Sequence, residues 1–210
     1  MEFVIAIAIV ILSIILHEVA HGYVADWLGD PTARLSGRLT LNPIPHLDPV
    51  GSILIPGMLA LSHSPFLIGW AKPVPYNPYQ VRGGVWGEAA VAAAGPATNI
   101  LIAIALGLVL RFGFNSLSGV LISIVVSAVY ANLVLAIFNL IPLPPLDGSK
   151  VLRALLRGPF ERFYQNFERA MYAFGPFGLI AVSFVAIYLL WPVVGYLVQF
   201  LFFLITGLAA

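Results

Sequence analysis

Ile14-Ile15-Leu16-His17-Glu18-Val19-Ala20-His21 sets two imidazoles and a carboxylate at the end of an apolar run that begins at Phe3. On a helix, His17 and His21 are one turn apart and share a face, so both can reach one metal ion with Glu18 beside it to handle protons. The five-residue string His-Glu-x-x-His also occurs by chance in unrelated chains. Its setting is more telling, because a charged group inside a bilayer costs roughly 2.5–3.5 kcal/mol. Three ionisable groups within five residues need a compensating partner, and zinc would supply one. The plainer alternative is a polar helix end packed against other helices.

Working outward, the chain of 210 residues is 60% hydrophobic and only 9% charged, with a mean hydropathy of +0.99. A soluble domain carries about 25% charged residues. The composition therefore indicates an integral membrane protein with no length for a separate soluble domain, and the expectation is one membrane-embedded unit over residues 1–210. A net charge of +1 without a basic aromatic patch gives no reason to expect nucleic acid. The absence of cysteine excludes disulfides and thiolate metal sites. Glu2 stands where a signal peptide would be basic, so residues 3–16 are expected to begin a retained helix.

That first helix should run from Phe3 to about Leu28 and stop at Gly29-Asp30-Pro31. His17 then lies about 21 Å along the axis from Phe3, well past the bilayer midplane. Leu35, Leu39 and Leu41 alternate with polar residues, a weak strand signal. Residues 50–70 are apolar enough to tempt a crossing but contain Pro56-Gly57, His63 and Pro65. A Pro- and Gly-rich loop over 71–86 precedes a small-residue helix from Glu88 to Leu110, kinked at Pro96. Residues 119–141 form the next apolar helix. Residues 149–171 read as an interfacial amphipathic segment carrying Lys150, Arg153, Arg157, Arg162 and Arg169. The 33 residues 176–208 are expected to cross twice, broken at Pro192, with a single kinked helix as the alternative.

Charge distribution tests the topology. If 50–70 only dips into the bilayer and returns, nine of the ten Lys and Arg residues share one side and Arg111 alone lies opposite; if it crosses, only seven do. The positive-inside rule prefers nine. The expectation is an all-α polytopic membrane protein of about five to six transmembrane helices, with a re-entrant or short β segment after the first. Its N-terminus lies outside and its working end is cytoplasmic, in the cell membrane.

Zinc in a hydrolytic site takes three protein ligands and a water. His17 and His21 give two. The remaining candidates are Asp26, Asp30, His46, Asp48, His63, Glu88, Asp147, Glu161 and Glu168. Asp147 follows Pro144-Pro145, which cannot continue a helix, at the depth expected for the histidines. It would equally serve as an N-cap for the helix that follows.

The three stretches His17-Glu18-Val19-Ala20-His21, Gly95-Pro96-Ala97-Thr98-Asn99 and Asn139-Leu140-Ile141-Pro142-Leu143-Pro144-Pro145-Leu146-Asp147-Gly148, in that order, resemble the motifs of the site-2 proteases (peptidase M50-like). These are zinc-dependent intramembrane metalloproteases. The resemblance implies a minimal member without PDZ or CBS domain, with a metalloprotease core over 3–157 and additional C-terminal helices over 176–208. It implies one zinc ion held by His17, His21 and Asp147, Glu18 as catalytic acid/base, and Asn139 holding or polarising the scissile peptide. Asn99 would pack or hydrogen-bond in the core. The implied partners are a membrane-anchored protein substrate, cleaved within its transmembrane segment, and the lipid bilayer. A segment at 35–41 could pair with an unwound substrate, and the last two helices could form a lateral gate. His46 and His63 read as structural rather than as metal or substrate contacts. Two other classes compete: a membrane metal-ion transporter and a non-catalytic membrane adaptor. The first would need polar residues strung across the bilayer, and the outer helix halves are nearly bare of them.

Overall fold

The computed structural model describes residues 2–62, 70–173 and 175–208. His63 and the rest of 63–69 lie outside the described residues. Helix α1 spans Glu2–Trp27, with a short α2 at Thr32–Leu35. A wide-pitched turn at Pro49–Leu54 leads into α3, Ile55–Leu61. The long α4 covers Gly84–Gly113 and α5 covers Gly119–Asn139. The chain ends in α6 (Asp147–Leu155), α7 (Pro159–Ala173) and α8 (Gly175–Thr206).

Four helices among the described residues are long and apolar enough to cross a membrane: α1, α4, α5 and the Tyr188–Thr206 part of α8. This is a multi-pass membrane protein. Helix α4 is the hub, packed against α1, α5, α6 and α8. Its buried face is built from small residues, among them Ala89, Ala92, Gly95, Ala103 and Gly107. Lipid tails are as apolar as leucine, so helices associate in a bilayer through close packing and interhelical hydrogen bonds, and small residues provide the first. Ala103 and Leu110 of α4, Val129 and Leu133 of α5, and Val194, Val198 and Phe202 of α8 form one cluster. Tyr130 stacks on Phe202 with ring centroids 4.5 Å apart. Leu101, Leu108, Leu121 and Leu204 point outward, as a lipid-facing surface requires.

The termini of these helices fix which ends lie together. The end of α1 meets the approach to α4 through Arg82 N–H donating to Leu28 O (2.9 Å). At the opposite end, the Arg111 guanidinium of α4 donates to Leu204 O of α8 (2.9 Å). Helices α1 and α5 therefore run one way, α4 and α8 the other. The end of α1, the start of α4, the end of α5 and the start of α6 share one side.

Three expectations change. Helix α8 continues through Pro192, so Gly175–Thr206 is one helix, not two crossings, and the described residues offer four spans rather than five or six. Proline removes one ladder bond, and a membrane helix tolerates that when its neighbours hold it in place; Val194, Val198 and Phe202 continue the packed face beyond it. No strand forms among the described residues, and 35–41 holds none. Instead, Ser36, Gly37 and Arg38 bond locally to Thr32, Arg34 and Ala33, and Gly37 takes φ +65°, which turns the chain. The amphipathic stretch is split in two at Gly158, φ +63°. As for 50–70, its ends lie side by side: Trp70 N–H donates to Gly51 O (3.1 Å) and Ser52 Oγ donates to Trp70 O (2.8 Å).

Candidate metal centre

His17 and His21 project from the second half of α1 toward α4 and the first turn of α6. Their Nε2 atoms each lie 3.2 Å from Oδ2 of Asp147, and the three ligand atoms sit within 4.8 Å of one another. Asp147 opens α6, where Leu146 takes the cap position and makes no side-chain cap bond. The Asp147 carboxylate thus faces the imidazoles instead of capping the helix. It can do so because Gly148 lets α6 press on the end of α5: a Cβ there would lie 2.2 Å from Leu140 O.

The remaining nitrogens settle which ring atoms carry hydrogen. His17 Nδ1–H donates to Asn99 Oδ1 (2.6 Å) and His21 Nδ1–H to Val91 O (2.7 Å). In the neutral rings both Nε2 atoms then present lone pairs to a carboxylate oxygen, an arrangement that repels unless a cation joins it. The donor set of two imidazoles and one carboxylate is that of a hydrolytic zinc site. The 3.2 Å separations approach the edge of a tetrahedron, about 3.3 Å for bonds of about 2.0–2.1 Å. Gly95 makes the space: a Cβ there would lie 2.5 Å from His21 Nε2 and 2.6 Å from His17 Nε2.

Glu18 stands beside this cluster, and its Oε2 accepts from Val74 N–H (2.8 Å). Val74 belongs to residues 70–77, which lie across the end of α1 without regular structure. That segment is tied down along its length. Arg38 donates to Lys72 O (2.7 Å) and Pro73 O (3.2 Å), Lys72 N–H donates to His46 O (2.9 Å), and Asn77 N–H donates to the buried Asp30 carboxylate (2.5 Å).

The other candidate ligands among the described residues have different work. Asp26 pairs with Arg34 at 3.2 Å. Asp48 accepts from Val50 and Gly51 N–H at the head of the wide turn, and His46 is buried with Nε2 on Thr40 O (2.9 Å). Glu88 is ion-paired with Arg153, which also lies 3.8 Å from Glu168, and Glu161 accepts from Gln165. Asn139 ends α5, and its amide donates to Leu135 O of its own helix (2.9 Å). Behind Asp147, Lys150 sits over the Tyr76 ring, 5.3 Å from its centroid. Burial works to lower its ammonium pKa, and its interactions with Tyr76 and with the Asp147 and Glu88 carboxylates outweigh this and hold it above its ordinary value.

Asn132 and Ser13 were not singled out from the sequence. Asn132 donates to Ser13 Oγ (2.9 Å) and accepts from Asn99 (2.8 Å). The signal was available: a lone amide within an apolar span must find a partner.

The comparison with known proteins now bears on this centre. The chain is 38% identical over 192 residues to a Bacillus subtilis protein, YwhC, covering 87% of this chain and 82% of that one; its name describes a zinc metalloprotease. The sequence model of peptidase family M50 matches residues 115–182. The chain belongs to peptidase family M50. Two more distant relatives are likewise named as zinc metalloproteases. Rip2 of Mycobacterium tuberculosis is 29% identical, covering 76% of this chain and 60% of that one. MJ0392 of Methanocaldococcus jannaschii is 28% identical, covering 69% and 32%. No solved structure matches this chain. This M50 protein is a metalloprotease with zinc as its cofactor, and His17, His21 and Asp147 form a group that can bind a metal ion.

Proposed function

We propose that this M50 protein is an intramembrane endopeptidase, a single membrane-embedded domain that cleaves transmembrane segments of membrane-anchored proteins. The carrying observation is the convergence of His17, His21 and Asp147 beside Glu18 at one end of a four-helix membrane bundle. In this reading His17 Nε2, His21 Nε2 and an Asp147 oxygen hold the metal. When bound, zinc supplies an acidified water and polarises the peptide carbonyl. Glu18 takes the proton of the attacking water and delivers it to the leaving nitrogen. Val74 N–H holds one Glu18 oxygen, which orients the carboxylate and leaves the other for the water. Asn139, whose amide is oriented by Leu135 O, donates its second N–H to the carbonyl oxygen of the substrate.

The side-by-side ends of 50–70 support a re-entrant segment, not a crossing. With α1, α4, α5 and α8 as the spans, all Lys and Arg residues but Arg111 fall on the metal side, which supports a cytoplasmic active site in the cell membrane. A helical substrate hides its peptide bonds in its own ladder, so it must unwind before Glu18 can act.

The test uses detergent-purified wild type and Glu18→Gln with a membrane-anchored substrate. Wild type should contain about one zinc per chain and cleave within the apolar segment; Glu18→Gln should keep zinc and lose cleavage. Cleavage persisting in Glu18→Gln would remove the assigned base. Zinc transport into vesicles without cleavage would favour a transporter.

A further inference from the structure

Behind His17, away from Asp147, a chain of polar side chains crosses three helices inside the membrane core. His17 Nδ1–H donates to Asn99 Oδ1 on α4 (2.6 Å). The Asn99 amide nitrogen donates to Asn132 Oδ1 on α5 (2.8 Å) and to Ser13 O on α1 (3.3 Å). The Asn132 amide nitrogen donates to Ser13 Oγ (2.9 Å) and Ala128 O (2.8 Å). His17, Asn99, Asn132 and Ser13 are all buried.

The direction of this chain is not arbitrary. Ala128 O is a backbone carbonyl and only accepts, so the Asn132 NH₂ must face it and the Asn132 oxygen must face Asn99. Ser13 O likewise only accepts, so with Asn132 Oδ1 it draws both hydrogens of the Asn99 NH₂. That leaves Asn99 Oδ1 as the sole group pointing at His17, and an acceptor there requires hydrogen on Nδ1. Two backbone carbonyls, on α1 and α5, thereby fix which nitrogen of His17 is bare.

We infer that Asn99 is a positioning residue for the metal ligand His17, and that Asn132 and Ser13 act through it to lock the Nδ1–H tautomer and the ring orientation. His21 has a simpler arrangement, its Nδ1–H held by Val91 O. The two ligands therefore differ in vulnerability: no side-chain substitution removes a backbone carbonyl, whereas the His17 support can be deleted at Asn99. The relay also ties α1, α4 and α5 together where a bilayer offers buried amides no water.

This inference rests on the zinc reading, and its test separates the two. Zinc affinity is measured by chelator competition on detergent-purified wild type, Asn99→Leu, Asn132→Leu, the double variant and Thr206→Val, with apo-protein melting and the visible spectrum of the cobalt-loaded form. Wild type that binds no zinc would overturn the zinc reading itself. Given zinc-binding wild type, Asn99→Leu should bind roughly 10–100-fold more weakly and shift the cobalt spectrum. Asn132→Leu should lose less, roughly tenfold, and the double variant should lose no more than Asn99→Leu alone, because Asn132 acts through Asn99. Thr206, a buried hydroxyl on α8 bonded to Phe202 O, serves as a control for polar deletion in the core, and Thr206→Val should leave affinity unchanged. Folded Asn99→Leu with wild-type affinity and cobalt spectrum would overturn the relay. If Asn99→Leu does not fold, Asn132→Leu alone decides, and unchanged affinity and spectrum there would overturn it equally.

Discussion

Gly95→Ala adds a single methyl group at the one point where helix and site make opposite demands. The new Cβ would lie 2.5 Å from His21 Nε2 and 2.6 Å from both Cε1 and Nε2 of His17, against an ordinary contact of 3.4–4 Å. The imidazoles would have to retreat by about 0.9 Å, and a displacement of about 1 Å at a reacting centre is worth roughly 100-fold in rate, or about 2.7 kcal/mol. Helix propensity works the other way, because alanine is favoured over glycine in a helix interior by roughly 0.5–1 kcal/mol. Pushing back rings held by Asn99 and Val91 O overpacks the core by roughly 1–3 kcal/mol with or without metal, so the fold should lose a little and the site much more. The expected result is an apo melting temperature modestly below wild type, zinc affinity reduced at least tenfold, and kcat/KM down about 100-fold. Melting with and without chelator, zinc competition and substrate cleavage measure all three. Wild-type zinc affinity and activity in Gly95→Ala would refute the claim that the two imidazoles rest on Gly95. An apo melting temperature at or above wild type would refute the claim that the rings are held in place.

Other outcomes follow from the surroundings of the site. Arg38→Leu releases the carbonyls of Lys72 and Pro73, so Val74 should no longer orient Glu18; kcat should fall about tenfold with zinc content unchanged, and loss of zinc would count against this. Arg153→Leu removes the guanidinium that Glu88 and Glu168 share, with Lys150 as their remaining cation, and should cost roughly 1.5–3 kcal/mol of stability, partly restored by Glu168→Gln; equal melting of wild type and Arg153→Leu would remove the pair from the account. Tyr164 donates to Pro142 O (3.0 Å), and burial first, with Glu168 and Tyr172 adding to it, pushes its phenol up to about 12. A raised folded-state value stabilises the fold below the ordinary phenol range, and that contribution is lost as pH rises through about 12. The tyrosinate absorbance difference between wild type and Tyr164→Phe should therefore appear only near that pH, and a transition at the ordinary value would contradict it.

The paired histidines of α1 and the end of that helix were legible in the sequence because they depend on local chemistry. One helical turn puts His17 and His21 on a common face wherever the helix packs, and Gly29, φ +105°, with Asp30 and Pro31 ends α1 in any surroundings. Asp147 remained one of nine candidates until the motif spacing resembled a family, because nothing local separates a ligand from a cap. The Gly-Pro-x-x-Asn stretch was visible as a motif, but its two jobs were not: Gly95 cradles the imidazoles and Asn99 holds one of them. Both are contacts to a helix some 80 residues away. The strand expected at 35–41 failed because Leu/polar alternation is weak evidence against a turn at Gly37 and an inward Arg38 whose partners lie at 72–73. The break expected at Pro192 failed for the complementary reason, since the faces of α4 and α5 hold α8 on either side of it.

By itself, the sequence determined a membrane protein with an expensive polar cluster at one depth of its first helix, since hydropathy and periodicity are properties of a segment. Only the tertiary structure decided that Asp147, and none of its rivals among the described residues, meets both histidines, and that buried amides on two other helices stand behind His17. Inside a bilayer no water satisfies such groups, so their partners must come from other helices, and which helices those are is fixed only when the bundle packs.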